Sequence, residues 1–308
     1  MIDVVRLATL RAVLEHGSFS AAGQAIGLTQ PAVSRQVSLL ERQVGTQLVR
    51  RTQRGVQPTE AGRLLAEHAA AIAARLALAE AQMADVAGLR AGHVRLGSFF
   101  TALVYLSAEL AAVLEERHPE LFRRQHDVIE DALVDRATAM RRLAAADLDV
   151  AIVFEHAFEP DPPPDGVELI ELFDDPPCVL LPAGHRLATA ASVRPRDLAE
   201  DAWIRAHHGS AARLVDHVLG RARLRPTIVH AGHGDEPVEA QAFVAAGRGI
   251  TVAHGLNVIL DPARIAPVPL RDAPVRRIQA AIMRDQRSPA PRAVIDALGE
   301  VGRRRARG

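Results

Sequence analysis

The chain contains no lysine: all 37 of its basic residues are arginine. That excludes a Schiff-base lysine, a Walker-type phosphate loop and a Ser-Lys nucleophile pair. One cysteine, Cys178, excludes an intramolecular disulfide, a two-cysteine redox switch and a cysteine-based zinc cluster. Net charge is absent too, with 37 acidic side chains against 37 basic ones. Any attraction to a polyanion must therefore come from a local patch. Long apolar runs are missing. The richest, Ala69 to Ala74, ends at Arg75, and Asp3, Arg6 and Arg11 break up the N-terminus before a signal-peptide core can form. The expectation is a cytoplasmic protein that does not engage a membrane.

What is present suffices for sizeable cores. Of 308 residues, 48% are hydrophobic and 24% charged, which excludes a mainly disordered chain and predicts two or three domains. Composition changes along the chain. Residues 1–58 hold short helical patterns broken by glycine. Residues 59–90 are one long Ala- and Leu-rich helical pattern. From about 93 onward, β-like runs alternate with amphipathic stretches.

In the first zone, Val4, Leu7, Leu10 and Leu14 mark one helix face. Gly17 ends that helix, and Ser18 caps a short one over 19–25. After Gly27, Thr29 is a good N-cap for a third helix over 30–44, with Pro31 in the first turn, where its missing N–H costs nothing. At 100° per residue, Val33, Val37, Leu40 and Val44 form the core stripe of that helix. Pro31, Arg35, Ser38 and Arg42 lie opposite, with Ser34 on the flank. This face is basic and carries no acid, Glu41 falling to the side. It is either an ordinary solvated face or a surface for an anionic partner. A strand at Leu48-Val49, a turn bearing Arg50, Arg51 and Arg54, and a return strand at Val56 predict a basic β-wing. The first 60 residues hold seven arginines against four acids, so the local patch exists. A wing arginine suits the minor groove, where narrow A·T-rich DNA concentrates negative potential.

The run from Gly17 to Gly62 resembles the DNA-binding domain of the LysR-type transcriptional regulators. The resemblance rests on Thr29-Gln30-Pro31-Ala32-Val33-Ser34-Arg35, on Leu40-Glu41, on Arg54-Gly55 and on Thr59-Glu60-Ala61-Gly62. Gly23, Val49 and Pro58 depart from the usual pattern at positions away from the presumed reading face. The resemblance implies a winged helix-turn-helix, with the two-helix motif over about 18–37. It also implies that Gln30, Ser34 and Arg35 reach base edges or phosphates, that Pro31 and Ala32 touch thymine methyls, and that Arg54 enters the minor groove. Ser38 joins them from the exposed face.

From Thr59 to about Arg90, Leu65, Ile72, Ala79 and Val86 recur every seven residues, with Ala69, Leu76 and Met83 four further on. The stretch makes a rod about 40 Å long. Its apolar seam either packs on its own domain or pairs two copies. The resemblance implies a linker-helix homodimer, usually assembled into a homotetramer, and contact with RNA polymerase.

The remainder alternates β and α. Strands are expected at Val94–Gly97, Asp149–Phe154 (of buried, parallel type), Leu169–Phe173, Cys178–Leu181, Trp203-Ile204, Thr227–Val229, Gly249–Val252 and Arg276–Met283, with a helix opening at Ser98–Thr101 and a return crossing at Pro267–Leu270. The runs Leu148–Val153, Leu180–Ala188 and Phe243–Val252 resemble the LysR-type effector-binding domain, itself similar to periplasmic binding proteins. This implies an α/β domain over 91–300, with subdomain I at about 91–161 and 269–300, subdomain II at about 162–268, and an Arg-rich solvated tail at 301–308.

In the expected cleft, Ser98 and Thr101 either cap a helix or bind the carboxylate or other anion of a small-molecule effector. Ile204, Arg205, His230, His233 and Asp235 are expected on the facing wall. His230 and His233 have a spacing a metal tolerates, but a glycine-rich loop does not fix two imidazoles, so no metal and no cofactor are expected. An enzyme or solute-binding protein is the competing reading. It leaves residues 1–90 without a role, and no nucleophile elbow, zinc signature or dinucleotide fingerprint is present.

Overall fold

A computed structural model describes residues 2–52, 55–86, 93–119, 129–230, 237–258 and 263–305. The chain divides into two compact units, residues 1–91 with 141–147 and residues 92–140 with 148–308.

The first unit begins with α1 (Val4–His16), whose N-cap Asp3 accepts from the Val5 N–H and whose end is set by Gly17 at φ 66°. Ser18 caps α2 (Phe19–Ala25) by accepting from the Ala21 N–H. In α3 (Gln30–Val44), Thr29 occupies the N-cap but its hydroxyl makes no capping bond; its carbonyl accepts from Val33. The wing is an antiparallel pair, β1 (Val49–Thr52) and β2 (Gly55–Pro58). Thr59 then caps α4 (Glu60–Val86), accepting from the Gly62 N–H while donating to the Gln47 carbonyl. Val33, Val37 and Leu40 of α3 are buried against Ala12, Val13 and Phe19 on one side and Leu7, Leu10 and Leu48 on the other.

The second unit has two subdomains. One is a five-stranded sheet in the order β4-β3-β5-β12-β6, built from β3 (Val94–Ser98), β4 (Ile129–Leu133), β5 (Val150–His156), β6 (Val167–Asp175) and β12 (Arg276–Met283). Helices α5 (Phe100–Arg117) and α9 (Pro289–Arg305) share its core, and α6 (Arg136–Ala144), whose residues from 141 on are grouped with the first unit, follows β4. The other holds β7 (Pro177–Pro182) between β10 (Thr251–His254) and β11 (Ile265–Pro269). A parallel pair, β8 (Trp203–Arg205) and β9 (Ile228–His230), is joined to it through a Trp203–Ile250 bridge. Helices α7 (Gly209–Ala222) and α8 (Pro237–Ala245) cover this second sheet around Trp203, whose indole N–H donates to the Leu198 carbonyl.

Four expectations shift. The first crossing lies at Pro176 rather than near 162, because β6 pairs with β12 and so belongs to subdomain I. Pro267–Pro269 is the end of strand β11, paired with β7, and the return crossing follows at 270–275. Strand β5 is parallel to β3 on one side but antiparallel to β12 on the other; burial on both faces gives the same apolar run either way. The Arg-rich end is helical as far as Arg305, where Arg304 reaches Glu116 and Glu300, and Arg305 reaches Glu109. Opposite charge turns an expected loose tail into the last turn of α9.

Candidate functional sites: a basic helix face and an α/β cleft

The exposed side of α3 presents Gln30, Pro31, Arg35 and Ser38 to solvent, with Ala32 and Ser34 half-buried beside them. Arg50 is exposed on the wing; Arg54 lies outside the described residues. The absence of an acid from this face has a structural cause. Glu41 turns toward the wing, where its Oε1 accepts from the backbone N–H groups of Leu48 (2.8 Å) and Val49 (3.2 Å). The Leu40-Glu41 pair in the sequence carries no sign of this role, since both partners are backbone groups. The wing is also pinned to the end of α1, the Val56 N–H donating to the Gly17 carbonyl at 2.8 Å. Gly55 (φ 115°) sits so close that a Cβ would lie 2.5 Å from that carbonyl oxygen.

The seam of α4 divides in two. Ala69 is buried and Leu65 half-buried against α1 and α3 of the same unit. Ile72, Leu76 and Met83 are 43%, 48% and 63% exposed. The inner half of the seam is thus used within its own unit, and the outer half is left exposed there. The side chain of Val86 and residues 87–90 lie outside the description.

In the second unit a cavity of about 610 Å³ opens between the two subdomains. One wall comes from the β3–α5 and β4–α6 turns and the end of β5, the other from the start of α7 and the end of β10. Ends of parallel strands and starts of the following helices are where α/β folds leave a crevice. Of the expected residues, Thr101 lines this cavity and donates to the Asn257 side-chain oxygen at 3.2 Å. Ser98 does not. It ends β3 fully buried, with its hydroxyl donating to the Phe99 carbonyl, and α5 starts two residues later. Ile204 is core. Arg205 forks onto Asp216 at 2.7 and 2.6 Å, which holds the guanidinium protonated and the Asp216 carboxyl below its usual range. His230 stacks on His207 with ring centroids 5.5 Å apart. None of these three lines the cavity. His233 and Asp235 lie outside the described residues.

The walls use other side chains. Arg136 donates to Asp161 at 3.1 Å, Arg213 to Glu159 at 2.7 Å, and Arg276 to Asp175 at 2.5 Å. Phe99 and Phe154 meet edge-to-face at 4.9 Å, and the Arg276 guanidinium lies 5.3 and 5.0 Å from their ring centres. His156 and His254 stand 5.1 Å apart at the floor. Burial holds His254 well below the ordinary histidine pKa; Arg276 and His156 push the same way, against a hydrogen bond with the Pro274 carbonyl. Crossovers bring these residues together, and no local spacing marks them. Among the described residues, no group of three His, Cys, Asp or Glu side chains is arranged for a metal ion, and no helix is long and apolar enough to cross a membrane.

Residues 4–63 match the family model described as a bacterial regulatory helix-turn-helix protein of the lysR family, and residues 87–303 match the LysR substrate binding domain. Among curated relatives, the HTH-type transcriptional regulator CbbR of Sinorhizobium medicae (strain WSM419) is 28% identical over 299 residues, covering 94% of this chain and 90% of the relative. The RuBisCO operon transcriptional regulator of Allochromatium vinosum is 27% identical over 280 residues, covering 90% and 88%. A full-length OxyR variant from Pseudomonas aeruginosa shares the fold with a TM-score of 0.63 at 22% identity, covering 98% of this chain and 95% of that one. Full-length CbnR complexed with its target DNA does so with a TM-score of 0.53 at 20% identity, covering 98% and 100%.

Proposed function

The chain belongs to the lysR family of bacterial regulatory helix-turn-helix proteins, and from that premise we propose which of its residues read DNA and which sense the effector. It is a sequence-specific DNA-binding transcriptional regulator with an effector-binding domain, not an enzyme. Gln30, Ser34 and Arg35 reach base edges and phosphates in the major groove, Pro31 and Ala32 touch thymine methyls, Ser38 supports them, and Arg54 enters the minor groove. The observation carrying this reading is the solvent-facing Gln30-Pro31-Arg35-Ser38 face of α3, basic and free of acid beside an exposed wing arginine. Two copies pair through the outer half of α4 and assemble further into a tetramer, in contact with RNA polymerase in the cytoplasm.

The effector is a small carboxylate or other oxyanion held in the cleft beside Thr101. Support comes from the three lining guanidiniums, each held by a carboxylate. An entering anion takes over one of them, Arg213 being the most exposed, and releases its acid. Ligand then favours one arrangement of the dimers on DNA, which requires a difference in affinity between the two arrangements.

The test is binding to the DNA upstream of the protein's own gene as salt is varied. A steep loss of affinity with a protected, partly symmetric site is expected. Arg35→Ala is expected to weaken specific binding by ~1–3 kcal/mol. Unchanged binding overturns the placement of α3 on DNA. A thermal-shift screen of small carboxylates tests the effector class, since a ligand preferring the folded state raises Tm.

A further inference from the structure

Helix α3 and the wing meet through apolar packing, Val49 and Val56 lying against the cluster that holds Val33 and Val37, and through a polar link. The helix stops at Gly45 in the left-handed region, and the chain reaches β1 within three more residues. Leu48 is buried beside Leu7, Leu10 and Leu40, so its N–H is shielded from water and needs a partner. An N–H needs an acceptor, and a carboxylate oxygen supplies one. The partner is Glu41, about one and two-thirds helical turns after Arg35. One carboxylate oxygen accepts from both Leu48 and Val49. Bonds from backbone N–H groups to an ionised carboxylate are roughly twice as strong as neutral ones.

We propose that Glu41 is a positioning residue for DNA recognition: its carboxylate sets the wing against the recognition helix, so that major-groove and minor-groove contacts are made together. This rests on the DNA-binding reading above and adds a residue that touches no DNA. Glu41 extends from the same helix as Arg35 but toward the wing backbone, so it links the two reading elements without lying on either contact surface. The wing is also held by Val56 on Gly17, by Thr59 on Leu48 and Gln47, and by the packing of Val49 and Val56 against the cluster of Val33 and Val37. Removing Glu41 leaves those tethers in place and takes away the polar restraint on the start of β1.

The experiment uses the full-length protein and a duplex selected in vitro from random sequence by the wild type. Wild type, Glu41→Gln and Glu41→Ala are compared by hydroxyl-radical footprinting at equal occupancy, by affinity against salt, and by thermal unfolding. Glutamine keeps an acceptor oxygen at the same reach; alanine keeps none. Glu41→Ala is expected to bind on the order of tenfold more weakly, to lose protection at the flanks contacted by the wing while keeping it at the centre, and to show a shallower salt dependence as wing phosphate contacts are lost. Glu41→Gln is expected to restore flank protection. Should the alanine variant not fold, Glu41→Asp keeps the charge but is one methylene too short for both N–H groups, and is expected to show the same flank loss. Flank protection and salt slope equal to wild type in Glu41→Ala, or in Glu41→Asp where that replaces it, overturn the proposal. Failure of the wild type to select any duplex overturns the DNA-binding reading instead.

Discussion

Asp175 and Arg276 stand 101 residues apart in the chain and form an ion pair that is 3% and 4% exposed, with the guanidinium Nη2 2.5 Å and Nε 3.1 Å from Oδ2. One ends β6 just before the first crossing between subdomains; the other opens β12 just after the second. The remaining carboxylate oxygen accepts from the Leu256 N–H at 3.2 Å, and Leu256 itself packs in the core of the five-stranded sheet. A single buried carboxylate thus ties both crossings and the turn after β10 at the back of the cleft.

Truncating one partner of such a pair strands the other charge in a poor solvent. Asp175→Ala is expected to cost about 3–5 kcal/mol of stability, measured by urea unfolding. A change below about 1 kcal/mol would show that water reaches the site.

The neutral histidine at the floor of the cleft makes stability depend on pH. His254 is held well below its ordinary value by burial, then by Arg276 and His156. In the unfolded chain it titrates near 6.5. The unfolded state therefore takes up a proton that the folded state refuses. This contribution is complete above about pH 6.5 and is lost as pH falls below it, with a limiting slope of about 1.4 kcal/mol per pH unit. Denaturant unfolding between pH 7.5 and 5 is expected to show this decline, and His254→Gln to lessen it. His217 is lowered by burial and Arg221 and adds a smaller part of the same sign.

Cys178 should be inert in the native protein. Burial, with Asp175 adding and Arg276 opposing, pushes its thiol up to about 12. Since the thiolate is the nucleophile, a disulfide reagent at pH 8 is expected to label none of the folded chain and, there being one cysteine, a single site after unfolding. Rapid native labelling would contradict the burial of β7.

The outer half of α4 is expected to hold the dimer. Ile72→Glu with Leu76→Glu places two charges on an apolar stripe that its own unit leaves exposed. Analytical ultracentrifugation should show a smaller species, while Tm of the monomer changes little. An unaltered sedimentation coefficient would place the interface elsewhere.

Short-range pattern was enough for the DNA-reading module. Its helices are marked by Gly17, Ser18, Gly27 and Gly45, and its reading face by the stripe of Val33, Val37 and Leu40 opposite Arg35. Helix periodicity and capping act over a few residues, so sequence spacing is already geometry there. Glu41 escaped because its partners are backbone groups seven and eight positions on, which carry no side-chain signature.

The cleft was another matter. Sequence alone determined that the last two thirds of the chain alternate strands and helices, and it put Thr101 at a helix start. Only tertiary structure decided that Ser98 is buried at the end of β3, that Arg205 and His230 are not part of the cavity lining, and that Arg136, Arg213, His254 and Arg276 are. The physical reason is distance along the chain. A cleft wall is assembled from strand ends whose neighbours are set by which β-strand pairs with which, and the placement of β6 beside β12 depends on contacts between residues more than a hundred positions apart.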